Sequence, residues 1–253
     1  MLYDINNKSL MEKENIYNTD INILGSIPDY NLIIESLITE FKKQDSNFGN
    51  FIFRTANTMP RFQSAIKNNF FQFADLEHKN LFLKAITDET LSSDSKLIVL
   101  FWQLLYSNEL FKQITKEVFF RFFYSGRATI TREDVLIYIK YLKENNPSLQ
   151  EWSINTIEIV ASKYLTILKK LNLLGGKVSK EINHPYLEDP LFVYFVRYIM
   201  LLHPGKKILQ NPYIQTGFMD ISMIITRLKR IENFAFWDIS QIGNDINIEL
   251  KKQ

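Results

Sequence analysis

Two short, intensely apolar runs constrain this chain most: Leu97–Tyr106 (LIVLFWQLLY) and Leu191–Leu202 (LFVYFVRYIMLL). Each is too apolar to lie in water, yet each falls short of the roughly 20 residues that cross a bilayer. Arg197 also interrupts the second. Both therefore read as buried helices, around which other amphipathic elements must pack. Of the 253 residues, 46 % are apolar, with 20 Phe and 12 Tyr. That is ample to offset the entropy of ordering, which excludes wholesale disorder.

The expected architecture is mainly α with a small β element, in one domain or two. Residues 1–27 read as a flexible or loosely docked N-terminal arm, 28–125 as an N-terminal helical subdomain, and 126–253 as a C-terminal helical subdomain. Apolar spacing predicts helices from Tyr30 to about Lys43, and from Thr58, as N-cap before Pro60, to about Phe70. Others are expected at about 77–88, 94–106, 108–123 and 131–145. The last opens on Thr131-Arg-Glu-Asp134, which resembles a capping box, and stops before Pro147. A long helix follows from Ser153 to about Asn172, closed by Gly175-Gly176. Helices at about 189–203 and 216–232 complete the α elements. Lys177–Ile182 and Asp245–Leu250 alternate as short strands would.

Reactive side chains are not gathered. There is no cysteine, so disulfides, thiolate metal sites and thiol nucleophiles are excluded. His78, His184 and His203 are scattered without ligand spacing, and the eight glycines form neither GxGxxG nor GxxxxGK[ST]. No GxSxG elbow appears. The adjacent acids Glu133-Asp134 and Glu188-Asp189 read as helix N-terminal acids favoured by the macrodipole rather than as a catalytic pair. The expectation is a protein that binds macromolecules and is not an enzyme, with no cofactor, metal or small-molecule substrate. The segment Met1 to Asp20 is polar, unlike a signal peptide, so the expected location is cytoplasmic, away from a membrane.

The net charge of +2 conceals segregation. Lys42–Phe71 holds Lys42, Lys43, Arg54, Arg61 and Lys67 against Asp45 alone, whereas Asp75–Asp94 holds five acids against Lys79 and Lys84. Within the basic part, Arg54-Thr-Ala-Asn-Thr-Met-Pro-Arg61 gathers guanidinium, hydroxyl and amide groups around a helix N-terminus. That chemistry suits phosphate oxygens, and equally a structural cap. In SINTIEIVASKYLTILKKLN (Ser153–Asn172), Ile154, Ile157, Ala161, Tyr164, Leu165, Leu168 and Leu171 form an apolar stripe. The opposite face carries Asn155, Ser162, Thr166 and Lys169, flanked by Lys163 and Lys170, with Glu158 the only acid. Gly175-Gly176-Lys177 lies just beyond. Helix, glycine turn and basic strand follow the order of a winged helix-turn-helix, with 131–145 as the preceding helix. An ordinary amphipathic helix with a lysine-rich solvated face fits the same pattern. The aromatics Phe70, Phe71, Phe73, Phe119, Phe120, Phe122 and Phe123 read as packing residues rather than base-stacking ones.

Three blocks together carry a family resemblance: Arg54–Asn69 (RTANTMPRFQSAIKNN); the aromatic block Leu97–Phe123; and Trp152-Ser-x-x-Thr156 followed by Tyr164-Leu-x-x-Leu168 and Leu173-Leu174-Gly175. Over about residues 30–235 the chain resembles the BrxA family of bacterial BREX phage-defence systems. The resemblance implies a helical protein with winged-helix-like elements and a core similar to the anti-termination factor NusB, binding double-stranded DNA alongside other BREX proteins. It favours Arg54, Thr55, Thr58 and Arg61 in the first segment and Asn155, Thr156, Lys163, Lys169 and Lys170 in the second. The local charge adds Lys67 and Lys177. Binding mainly to phosphates, and largely independent of sequence, is the leading expectation. A protein–protein scaffold docking through the aromatic helices and the acidic 75–94 face, or RNA binding in the manner of NusB, are the alternatives. Family members have also been labelled inner-membrane proteins, which the lack of an adequate apolar run here opposes. The arm at 1–27 and the tail after Trp237 have no clear counterpart in the family.

Overall fold

The computed structural model describes residues 17–42, 59–176, 179–205, 207–243 and 245–251. Helices dominate: α1 (Asp20–Leu24), α2 (Asn31–Lys42), α3 (Met59–Phe70), α4 (Leu76–Thr87) and α5 (Ser93–Ser107) come first. Then a continuous helical rod runs from α6 (Glu109–Ile114) through a wider π-helical stretch (Thr115–Phe120) into α7 (Arg121–Tyr124). After β1 (Thr129–Ile130) come α8 (Arg132–Asn145), α9 (Ile154–Lys170), β2 (Lys180–Glu181) and α10 (Asp189–Leu202). The chain ends with α11 (Ile221–Leu228) and the antiparallel hairpin β3 (Trp237–Ile242) and β4 (Asp245–Leu250).

The two apolar runs lie where their composition demands. Phe101 and Trp102 on α5, and Phe195 and Tyr198 on α10, are buried. Trp102 and Tyr198 stack with ring centroids 5.5 Å apart. Their polar atoms are satisfied inside: Trp102 Nε1 donates to the Thr216 carbonyl at 3.0 Å and Tyr198 Oη to the Trp102 carbonyl at 2.6 Å. One buried cluster extends from Tyr17 to Ile248 and includes side chains on both sides of residue 125.

Several helix ends form as their residues require. Thr131 accepts from the Asp134 amide while the Asp134 carboxylate accepts from the Thr131 amide, a reciprocal capping box opening α8. Ser153 caps α9, its hydroxyl accepting from the Thr156 amide at 3.1 Å.

Other expectations are corrected. Of the expected arm, residues 17–27 are packed: Tyr17, Ile21, Leu24 and Ile27 are buried, because α1 lies against both α3 and α9. Gly175-Gly176 does not close α9. Asn172 takes the left-handed position (φ 56), with Asn172 N–H bonded to the Lys169 carbonyl and Leu173 N–H to the Leu168 carbonyl, so the turn comes before the glycines. The helix expected at 216–232 shrinks to Ile221–Leu228, because Phe218 turns left-handed (φ 55) to enter a cluster with Phe101, Phe119, Phe120 and Phe123. Asp220 then caps the helix through the Met223 amide. Ile154 was expected in the apolar stripe of α9 but is 68 % exposed, because this first turn overhangs the core.

Around β2 a small antiparallel sheet forms. On one side β1 pairs with it, Thr129 opposite Glu181 and Ile130 opposite Lys180. On the other, residues 173–175 pair: Gly175 N–H donates to the Glu181 carbonyl at 2.8 Å and Asn183 N–H to the Leu173 carbonyl at 3.0 Å. The connectivity is thus helix, β1, α8, α9, edge segment 173–175, turn, β2, with β2 central. Gly176 makes the turn possible. Its φ is +69°, and a Cβ there would lie 2.0 Å from the Ser179 carbonyl oxygen.

Candidate nucleic-acid interface

α9 presents the candidate surface. Its buried side, with Ile157, Val160, Ala161, Tyr164, Leu165 and Leu168, is fixed to the core, and Tyr164 Oη donates to Thr115 Oγ1 at 3.1 Å. That anchor fixes which residues turn outward. Asn155 and Lys169 are exposed, while Thr156, Lys163 and Lys170 are half-buried. Thr156 completes the helix cap, its hydroxyl 2.9 Å from that of Ser153.

The three lysines are held, and all by neutral oxygens. Lys163 Nζ donates to Ser26 Oγ at 2.8 Å, and Lys169 Nζ to the Gly176 carbonyl at 2.9 Å. Lys170 Nζ donates to the Gly25 carbonyl at 2.9 Å and also to that of Ile27, two acceptors in the turn after α1. Burial, then the like charge of Lys163, pushes the Lys170 ammonium down to about 8 against the pull of Asp29. Since these acceptors carry no formal charge, the lysines' positive field is not cancelled by ion pairing. The one acid on the helix is otherwise disposed of: Glu158 accepts from Arg132 Nη2 at 2.9 Å.

The second predicted segment is only partly in view. Arg61 and Lys67 are exposed on α3, but six residues apart, which sets them on different sides of that helix. α1 packs against both α3 and α9, and its Asp20 accepts from Asn68 Nδ2 and Asn69 Nδ2 on α3. The expectations for Arg54, Thr55, Thr58 and Lys177 fall outside the described residues. The structure therefore gathers Asn155, Thr156, Lys163, Lys169 and Lys170 on one helix and leaves Arg61 and Lys67 apart from them. Sequence reasoning missed two residues of this surface. Ile159, 39 % exposed, sits among the polar side chains of α9. Arg132 reaches α9 from α8, a contact between distant positions that no local pattern announces.

The histidines take structural positions. Nδ1 of buried His78 accepts from the Ala74 amide at 3.2 Å, and its ring meets the Phe73, Tyr106 and Tyr198 rings edge-on. His184 lies against Phe123, ring centroids 4.8 Å apart, and His203 follows the last turn of α10. Among the described residues no three metal-ligating side chains come together, and no helix is long and apolar enough to cross a membrane. In the acidic segment, Asp75 caps α4 through the His78 amide, Asp88 accepts from Tyr194 Oη at 2.9 Å, and Asp94 accepts from Asn172 Nδ2 at 2.7 Å.

The family model for BrxA matches residues 53–197, more than half of the chain and the stretch from the basic segment through α9 and the small sheet into α10. The chain belongs to the BrxA family. It is therefore a protein associated with BREX phage defence. The BrxA match covers α3 to α9 but stops short of α11 and the β3–β4 hairpin. No curated protein matches the chain.

Proposed function

We propose that this BrxA-family protein is a non-catalytic, cytoplasmic DNA-binding accessory of its defence system, seating double-stranded DNA against α9. The observation that carries the reading is the arrangement around that helix. The order β1, α8, α9, residues 173–175, turn and β2, with β2 between its two neighbours, is the order of a winged helix-turn-helix, in which α9 would be the recognition helix. Lys163, Lys169 and Lys170 add positive charge along the helix, bound to neutral oxygens and so still able to attract phosphates. Gly176, left-handed after the edge segment 173–175, would open the wing.

Lys170 and Lys163 also fasten α1, so the discriminating variant is Lys169→Glu. The test is a gel shift of the full-length protein on duplex DNA at two salt concentrations, with RNA as competitor. The reading expects duplex retention that weakens steeply with salt, falls further in Lys169→Glu, and is not displaced by an equal amount of RNA. Folded protein that retains no duplex at low salt sinks it.

A protein-docking reading has one observation of its own. Ile137 and Tyr141 on α8 and Ile154 on α9 are 60 %, 59 % and 68 % exposed. Ile154 also borders a concavity of about 390 Å³ shared with Lys140, Lys143 and Gln150. Such apolar exposure fits contact with another BREX subunit.

A further inference from the structure

The outward face of α9 does not have the composition of a phosphate clamp. Asn155, Ile159, Ser162 and Thr166 recur at intervals of four, three and four residues, which aligns them on one face. Asn155 is exposed and its amide has no hydrogen-bond partner among the described residues. Ile159 is 39 % exposed. The Ser162 hydroxyl donates back to the Glu158 carbonyl at 3.0 Å, and that of Thr166 to the Ser162 carbonyl at 2.9 Å, leaving lone pairs outward. Glu158, held by Arg132, and the exposed Lys169 flank this stripe on one side. On the other flank Lys163 and Lys170 are drawn aside to residues 25–27. The middle of the face is neutral by construction, with charge at its margins.

Amide, branched methyl and hydroxyl groups are those that distinguish base edges. A side-chain amide can donate to adenine N7 while accepting from adenine N6, and aliphatic methyls pack against the thymine 5-methyl group. Asn155 stands in the first turn of α9, the part of a recognition helix that meets base edges. Ile159 follows four residues later, about 6 Å along the axis. Resting on the DNA-binding reading above, we propose that the Asn155–Ile159 face selects A·T base pairs in the major groove. Asn155 takes an adenine and Ile159 a nearby thymine methyl, while the flanking lysines hold phosphates. Affinity then comes from the phosphates, and selection from this neutral stripe.

The test is selection from a duplex library with a randomised central segment, using the full-length protein at fixed salt and sequencing bound against unbound DNA. Wild type is expected to enrich A·T pairs at two nearby positions, each preference being about tenfold. Asn155→Ala should abolish the adenine preference and leave the other in place. Because the Asn155 side chain supports nothing in the fold, an unchanged melting temperature accompanies that loss. Wild-type protein that retains duplex without enriching any position overturns the proposal, as does an adenine preference that survives Asn155→Ala. Wild-type protein that retains no duplex fails differently: it removes the DNA-binding reading and, with it, this one.

Discussion

Gly25 lies against Lys163 with no space for a side chain between them: a Cβ on Gly25 would come 2.8 Å from Lys163 Cβ and 2.9 Å from the Lys163 carbonyl oxygen. The backbone at Gly25 is right-handed helical (φ −64), so any residue could adopt it. The demand for glycine is steric, and it arises because α1 and α9 are in backbone-to-backbone contact.

Gly25→Val therefore tests that contact directly. The added methyls force α1 away from α9, at an overpacking cost of about 1–3 kcal/mol. Thermal denaturation reads the loss. A variant that melts like wild type would show that α1 is not seated as described.

Lys170 makes a pH-dependent prediction. Its folded-state pKa of about 8 lies below its ordinary value of 10.5, because burial disfavours the ammonium. Between those values the unfolded chain binds the proton more tightly, so this group's contribution to stability rises with pH and is lost as pH falls through about 8. The urea midpoint of wild type, measured against that of Lys170→Met, should gain as pH increases across that window. A flat difference would contradict the shift.

Gly176→Ala attacks the turn before β2, where neither the left-handed backbone nor the Ser179 carbonyl admits a Cβ. The small sheet should loosen while the core persists. Amide exchange at Gly175, Ile182 and Asn183, whose N–H groups donate within that sheet, should accelerate in the variant. Amides in the middle of α10 should keep their protection. Equal acceleration at both places would mean that the sheet is not a separable unit.

Tyr198→Phe removes the donor to the Trp102 carbonyl and keeps the ring stack. The loss should be about 0.5–1.5 kcal/mol, lowering Tm by roughly 1–6 °C. No change would show that the hydroxyl contributes little beyond its ring.

What the sequence disclosed, and what it concealed, follows from how local each signal is. Thr131 and Asp134 stand three apart and satisfy one another, so the start of α8 was readable in four letters. The lysines of α9 were readable too, since helical spacing alone puts them to one side. Their partners were not. α1 is five residues long, too short to show periodicity, and Ile21, Leu24 and Ile27 acquire meaning only once α9 lies beside them. Phe218 breaks the expected last helix for the same kind of reason: four aromatic rings, none nearer than residue 123, hold its ring. The hairpin is a different case. The alternation of Asp245–Leu250 is legible as a strand, whereas its partner Trp237–Ile242 is not among the expected strands, although Gly243-Asn244 between them is a pair typical of tight hairpins. Ile154 fits the apolar period but faces water, because periodicity cannot show where a helix outruns the surface beneath it.

The seating of α1 bears on how this protein can be shortened. A version trimmed to begin at Pro28 would uncover the side of α9 on which Ile21 and Leu24 rest, turning a dry seam into a greasy trench. It would also leave the Lys170 ammonium facing that trench without its two carbonyls. Such a fragment would be prone to stick to itself, and a loss of DNA retention in it would say nothing about the role proposed for α9. Any dissection of the interface must keep those few N-terminal residues in place.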